Sequence, residues 1–493
     1  WGQAYMGTLH SYQMAPVFVL LGETVVTSRL VPLAVHLAVV ATTYALAWRV
    51  GQDRFGATAA ALLVALPPVM VTLYTTVSIG AWVEILLLNN LIWLIGWSIL
   101  SGRRQATGWW ALTGFLAGVG WWELPIIVTS AAPLAALGAW RFRRRMPWGR
   151  VAVLAVAFLV GATPWIIGLA AAPADLLADA SGVRLRSAFA GDETVTGWGG
   201  RAVSVLLFNL PALFGLRPSW SLEWIALPAG LLVVAFYVLV FWQAARRLGV
   251  EREAEYRRIA FGSLLGGWAL ILTLLAVSPF ASDPSGRYIA VLYPPAAILA
   301  GEWLGLARRG EVDWLRGAGR WAAPAVLAGI LAYNLAGVVR SMAWDPPGLT
   351  TQFAPIAHIP HDHDEELINF LDSLGVDRGY GNFWITFRFA FLTGERIIIA
   401  PLLPYKEDMS YDYLDDKCPP YSEMVRGAER VVYVTSNHPV LDRAIGERFD
   451  ALGVRYRVQH IGPYTVFYDL PRNVQPEELG PFGVVTGREI YGP

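Results

Sequence analysis

AWVEILLLNNLIWLIGWSIL, residues 81–100, carries a single charged side chain, Glu84, in twenty positions. At about 1.5 Å rise per residue, a helix of about 20 residues covers the ~30 Å hydrocarbon core of a bilayer. The stretch therefore reads as a membrane span, with Glu84 one turn inside it. Nine further stretches read the same way: 29–48, 55–73, 106–121, 124–140, 150–171, 224–246, 258–279, 287–306 and 320–340. The one at 106–121 is short, as expected of a tilted or partial span. Two shorter apolar stretches interrupted by proline, 11–22 and 202–216, read as helices lying in the interface.

Composition agrees. The 493-residue chain is 55% hydrophobic and 15% charged, against about 25% charged for soluble domains. Its mean hydropathy is +0.45. A soluble enzyme throughout and a disordered chain are both excluded. Net charge is +0, but it is unevenly spread: residues 1–357 carry +8 and residues 358–493 carry −8. An apolar, basic part thus precedes a polar, acidic one. The acidic sign of the polar part argues against a nucleic-acid partner. Cys418 is the only cysteine, which rules out intrachain disulfides, CxxC redox sites and thiolate zinc sites.

Arginine placement orients the spans. With ten alternating spans, one set of loops holds 18 arginines, among them Arg103, Arg104, Arg141, Arg143, Arg144 and Arg145. The other set holds 7: Arg29, Arg184, Arg186, Arg201, Arg217, Arg287 and Arg340. The arginine-rich side is expected to be cytoplasmic. Residues 1–28, 172–223 and 280–286 and the C-terminal part then lie outside. The domains follow: a partial first outer loop with an interfacial helix at 1–28, a transmembrane bundle at 29–340, and an extracytoplasmic α/β domain at 355–493. Tryptophans crowd the span ends, as headgroup anchors do. Trp82, Trp121 and Trp122 on the outer side leave a ligand-facing role open.

In the tail, Asp364 is placed to cap a helix ending near Gly375. Strands are expected at 396–400, 430–435, 454–460 and 465–469, and helices at 383–392, 421–427 and 439–451. Alternation of the two suggests a mostly parallel sheet, with an edge hairpin around Gly462-Pro463. Neither GxGxxG nor a P-loop occurs.

Charged groups near an outer span end are costly unless paired or functional. They are Glu23, Glu84, Glu123, Asp283 and Arg287. Glu84, Glu123, Asp283 and Arg287 together would make a polar cavity, while Glu23 reads as a solvated loop charge. Glu84 is either functional or the partner of an outer arginine. Arg287 is placed either to grip a phosphate through its planar fork or to snorkel to the headgroups. His361-Asp362-His363-Asp364 lacks a third metal ligand and reads as a linker and helix cap. Asp412, Asp415 and Asp416 read as a solvated acidic loop. No Ser-His-Asp or HExxH pattern is visible.

Several stretches resemble a known family. Trp1-Gly2-Gln3-Ala4-Tyr5-Met6-Gly7-Thr8-Leu9, followed by Arg29-Leu30-Val31-Pro32, is similar to the first outer loop and second span of GT-C integral-membrane glycosyltransferases. The nearest group is the bacterial and archaeal relatives of the protein O-mannosyltransferases. Arg287-Tyr288 with Tyr293-Pro294 resembles that family's Arg-Tyr and Tyr-Pro element. Gly379-Tyr380-Gly381-Asn382-Phe383-Trp384 with Gly394-Glu395-Arg396-Ile397 resembles the soluble domain that follows the spans in one subset.

The resemblance implies a polytopic α-helical membrane protein, a GT-C-like bundle with a C-terminal extracytoplasmic α/β domain, multi-pass in the cell membrane. It implies an inverting hexosyl or pentosyl transfer from a polyprenyl-phosphate-linked sugar donor to a glycan, lipid or protein acceptor at the outer face. A carboxylate would deprotonate the acceptor and an arginine would offset the phosphate's charge. That carboxylate is expected in the first outer loop before Trp1, preceded by one more span, so the chain as it stands is expected to be inactive. Within the chain, Glu84 is the candidate acid. Arg287, Tyr288, Glu123, Asp283 and Tyr5 are the candidate substrate contacts. No cofactor is called for, and a divalent metal stays open. Two other readings compete: a transporter or flippase of lipid-linked glycans, which would favour repeated halves and interrupted helices, and a non-catalytic subunit of a cell-envelope assembly.

Overall fold

The computed structural model describes residues 6–171, 197–250, 255–315, 317–344, 350–351, 353 and 355–486. The chain divides into a unit of residues 3–341 and a second that includes 342–493.

The first unit is helical. Its elements are α1 (Leu9–Leu21), α2 (Val25–Gly51), α3 (Arg54–Ala65), α4 (Val69–Thr76), α5 (Trp82–Leu100), α6 (Thr107–Glu123), α7 (Val128–Phe142), α8 (Trp148–Gly161) and α9 (Thr163–Ala171). Then come α10 (Trp198–Ser204), α11 (Leu227–Val250), α12 (Glu255–Val277), α13 (Tyr293–Arg309) and α14 (Gly319–Trp344). Caps mark where the sequence lets helices begin. Thr24 and Thr27 form a reciprocal capping box at α2, and Asp53 accepts the Gly56 N–H at 2.6 Å to start α3.

A helix or a bent helix pair stands at each of the ten stretches. Seven helices are long and apolar enough to cross a membrane by themselves among the described residues, or nine if two bent pairs each count as one. The exception is α6, whose 17 residues reach about 25 Å. It is nonetheless bound tightly. A Cβ on Gly114 would lie 2.9 Å from the Leu154 carbonyl carbon, and one on Gly118 would lie 2.9 Å from Ala162 N. This Gly-xxx-Gly face lets the α6 and α8 backbones touch, the close packing that holds helices together in lipid.

The bent pairs are α3–α4, turned by 74°, and α8–α9, turned by 58°. Pro67 and Pro68 stop α3 by withholding two N–H donors. Side chains take up carbonyls left open at the break: Tyr293 Oη donates to Leu63 O at 3.1 Å, and Asn334 Nδ2 donates to Leu66 O at 2.9 Å. A break inside apolar surroundings is tolerated when neighbours replace the lost hydrogen bonds.

The second unit holds α15 (Asp364–Leu374), β1 (Arg378–Tyr380), α16 (Phe383–Leu392), β2 (Ile398–Ala400), β3 (Tyr411–Asp412), α17 (Pro419–Arg426), β4 (Val432–Ser436), α18 (Pro439–Ala451), β5 (Arg457–Ile461), β6 (Tyr464–Tyr468) and β7 (Val485–Thr486). The main sheet has the order β2-β1-β4-β6-β5. It is mixed rather than mostly parallel: β1 runs parallel to β2 and β4, while β6 runs antiparallel to β4 and β5. The β5–β6 hairpin turns at Gly462-Pro463, and β1 is a strand that sequence reading left out.

Side chains alternate across this sheet. Ile398, Tyr433 and Phe467 join a core with Leu441 and Phe449 of α18. Ile399, Val432, Val434 and Val466 join one with Leu367, Leu371 and Phe389 from α15 and α16. Both faces are thus covered. Asp364 is not a cap: His363 holds the cap position. Asp364 instead accepts from Tyr464 Oη at 2.7 Å and Arg388 Nε at 2.8 Å.

Candidate functional site

The chain leaves α4 through Val77-Ser78-Ile79-Gly80-Ala81 and enters α5. Gly80 at φ +74° and Ala81 at φ +58° make the turn. A non-glycine residue at positive φ costs on the order of 1–3 kcal/mol and is kept where the surroundings impose it. This turn sets Glu84 in the first turn of α5, 2% exposed.

Its partner is not an arginine. His10, in the first turn of α1, places Nδ1 2.7 Å from Glu84 Oε1 and Nε2 2.6 Å from Ser78 Oγ. Glu123 ends α6 and is fully buried. Its Oε2 accepts the Leu9 N–H at 3.1 Å, and its backbone carbonyl accepts the Gly7 N–H at 2.9 Å. A Cβ on Gly7 would lie 2.8 Å from Glu123 Cα, so this approach requires glycine. Glu123 lies within electrostatic reach of Glu84 and His10. Glu84 Oε2 and Glu123 Oε1 are buried without a hydrogen-bond partner among the described residues. Acids so placed in an apolar bundle are costly, which marks them as functional candidates.

Asp283 does not join that pair. Its Oδ2 lies 2.7 Å from Arg287 Nε, and its Oδ1 accepts the Ser285 N–H at 2.9 Å. Gly286 at φ +77° then turns the chain into the Arg287–Leu292 3-10 segment ahead of α13. The Arg287 guanidinium sits 5.0 Å from the Tyr288 ring centre. Aromatic contacts tie this turn to the start of α5: Tyr288 to Trp82 at 5.7 Å, and Trp82 to Tyr74 at 5.4 Å. Trp82 is therefore a buried bridge. Trp121 packs on Trp165 and Trp122 on Tyr12. Arg217 is buried nearby, in electrostatic reach of Asp283. Its guanidinium donates to the carbonyls of Phe208, Pro218 and Ser221.

Glu23 is exposed. Tyr5 lies outside the described residues. Sequence reading did not single out Ser78, Arg217 or the pairing of His10 with Glu84. No motif marks them: His10 lies 68 and 74 residues from Ser78 and Glu84, and Arg217 is held by backbone carbonyls, which carry no residue signature.

In the second unit, His361 Nδ1 lies 3.2 Å from Asp364 Oδ2, and His363 Nδ1 lies 3.0 Å from Glu366 Oε2. No group of three metal-ligating side chains occurs among the described residues. The acidic loop is not simply solvated. Asp412, Asp415 and Asp416 are half-buried, and Asp416 accepts from Ser422 Oγ at 2.6 Å. Burial, followed by the charge of Asp412, pushes the Asp415 carboxyl up to about 7.

Sheets of this kind usually bind ligands beyond the carboxyl ends of parallel strands, where strand order reverses. Here the chain runs from β1 to β2 on one side and later to β4 on the other. At that point Asn437 Nδ2 donates to His358 O at 3.0 Å, and Ser436 Oγ meets Ile356 O at 3.5 Å. Ile356, Ala357 and Ile359 are buried. The unit's own entry segment thus fills the crevice.

No protein-family model matches the chain, and no curated protein matches its sequence. In three dimensions it is similar to ArnT from Cupriavidus metallidurans bound to undecaprenyl phosphate, with a TM-score of 0.53 and 12% identity over 96% of this chain and 90% of that one. The apo form of the same protein gives 0.50 and 14%, over 94% and 88%. At such identities the likeness is one of fold. It is the fold of the GT-C membrane glycosyltransferases, a helical bundle followed by a small sheet domain.

Proposed function

We propose that the chain is a membrane glycosyltransferase that moves a sugar from a polyprenyl-phosphate carrier to an acceptor at the outer membrane face. The observation that carries this reading is the pair of buried carboxylates, Glu84 and Glu123, tied by Trp82 and Tyr288 to the turn that bears Arg287. ArnT, whose fold the chain shares, was seen with undecaprenyl phosphate bound. The arginine distribution supports an outer position for residues 6–28, the 280–286 turn and the second unit.

Roles follow from chemistry. Arg287, aligned by Asp283 and backed by the Tyr288 ring, holds the carrier phosphate and offsets its charge as the sugar departs. Glu84 is the base. His10 fixes Oε1, and Oε2 is left to take the acceptor proton. Glu123 holds the 7–10 segment over Glu84.

The test is transfer of radiolabelled sugar from polyprenyl phosphate in proteoliposomes. Label reaching an acceptor, and lost with Arg287→Ala and Glu84→Gln, supports the reading. Carrier that crosses the bilayer with its sugar intact supports the flippase instead. Interrupted helices are present, but the carbonyls at the α3–α4 break are taken up by Tyr293 and Asn334 rather than lining an open path.

A further inference from the structure

Three side chains from two distant parts of the bundle stand in a particular atomic order. Ser78 Oγ lies 2.6 Å from His10 Nε2, and His10 Nδ1 lies 2.7 Å from Glu84 Oε1. A simple polar clamp has no need of this order. It is the order that activates a serine: the carboxylate holds the imidazole with its proton on Nδ1, and Nε2 is left to accept from the hydroxyl. Burial is graded in the same sense. Glu84 and His10 are buried, whereas Ser78 is exposed at the tip of the 77–81 turn. That turn is the one strained at Ala81.

We propose that Ser78, His10 and Glu84 form a nucleophile relay for acyl transfer, acting on a carboxylic ester borne by a membrane lipid. The activity is distinct from sugar transfer and does not rest on it.

In the first step a bond forms between Ser78 Oγ and the ester carbonyl carbon, and the hydroxyl proton passes to His10 Nε2. The carbonyl electron pair moves to oxygen and returns as the ester C–O bond breaks. The leaving alkoxide takes the proton from Nε2. Water or an alcohol then attacks the Ser78 ester through the same relay. It releases the carboxylic acid or a new ester and restores the serine.

The class of substrate follows from the setting. His10 sits on α1, an apolar helix that exposes Tyr12, Val19, Leu20 and Leu21. Exposed apolar side chains of this kind mark a surface that meets lipid, and the ester offered to such a surface is that of an acyl lipid.

The experiment uses the full chain in detergent, a fluorophosphonate probe with peptide mapping, and hydrolysis of p-nitrophenyl butyrate. Modification at Ser78 is expected. It should vanish with Ser78→Ala and slow by about 10²-fold or more with His10→Gln, the contribution of a positioned general base. Ester hydrolysis should fall in parallel. Each variant is checked for an unchanged melting temperature, and Glu84→Gln provides a second reading if His10→Gln does not fold. A folded protein left unmodified at Ser78 overturns the proposal, as does a modification rate unchanged by His10→Gln. Neither readout needs a sugar donor, so loss of sugar transfer alone does not bear on it.

Discussion

Asp283 Oδ2 and Arg287 Nε meet at 2.7 Å across four residues. The pair aligns the guanidinium before any ligand arrives, and the Tyr288 ring backs it on another side. An arginine held this way loses little freedom when it grips a phosphate. Arg287→Lys should therefore lower kcat/KM for the polyprenyl-phosphate donor by about 10²-fold, since the fork is lost. Asp283→Asn should cost less, about tenfold, and mainly in KM, because the donor groups remain but are no longer aligned. Steady-state transfer kinetics separate the two. Equal losses from both variants would refute an aligning role for Asp283.

Gly7 touches Glu123 so closely that a methyl group cannot fit. Gly7→Ala should push the 7–10 segment off Glu123 and break the His10–Glu84 contact while the bundle stays folded. Sugar transfer should fall at least tenfold, with proteolysis opening near residues 6–10. Unchanged activity would show that the segment does not shape the site.

The α6–α8 contact depends on Gly114 and Gly118. Gly118→Leu should destabilise the bundle by about 1–3 kcal/mol, the usual cost of overpacking. A lower melting temperature of the detergent-solubilised chain checks this. Gly108, which meets nothing within 4 Å, is the matched control expected to be silent.

Asn334 satisfies the Leu66 carbonyl at the α3–α4 break. Asn334→Leu should cost about 0.6–2 kcal/mol, the range measured for side-chain hydrogen bonds inside membranes. It should also raise hydrogen exchange at the start of α4. Exchange confined to other helices would argue against this role.

Asp415 titrates at about 7 in the folded unit because burial and Asp412 disfavour its charge. Unfolded, it titrates at about 3.9. The folded state therefore holds a proton that the unfolded state loses between these values. Its stabilising effect is complete below about pH 4 and disappears as pH rises through 7. Asp415→Asn should flatten that fall, read as amide exchange in 411–436 against pH. An identical slope in the variant would assign it to another group.

Much of the architecture was legible because hydropathy acts locally. The stretch at 81–100 is a helix at 82–100, and strands expected at 430–435 and 465–469 appear at 432–436 and 464–468. β1 was missed because three residues, two of them Arg378 and Gly379, carry no strand pattern of their own. Its identity comes from pairing with β2 and β4. The bend after Ala65 was hidden because an apolar run with Pro67-Pro68 reads as continuous hydropathy.

Sequence alone marks this as a chain rich in apolar membrane helices, and singles out Glu84, Glu123, Asp283 and Arg287 as charged groups that are costly in such a setting. Those properties follow from transfer free energies of individual side chains, which need no knowledge of neighbours. Tertiary packing makes His10, 74 residues away, the partner of Glu84, sets Asp283 against Arg287, and brings Ser78 to His10. Partner choice depends on which helix ends meet. That is settled by packing, as at the glycine seam of α6 and α8, which no local pattern around His10 or Glu84 records.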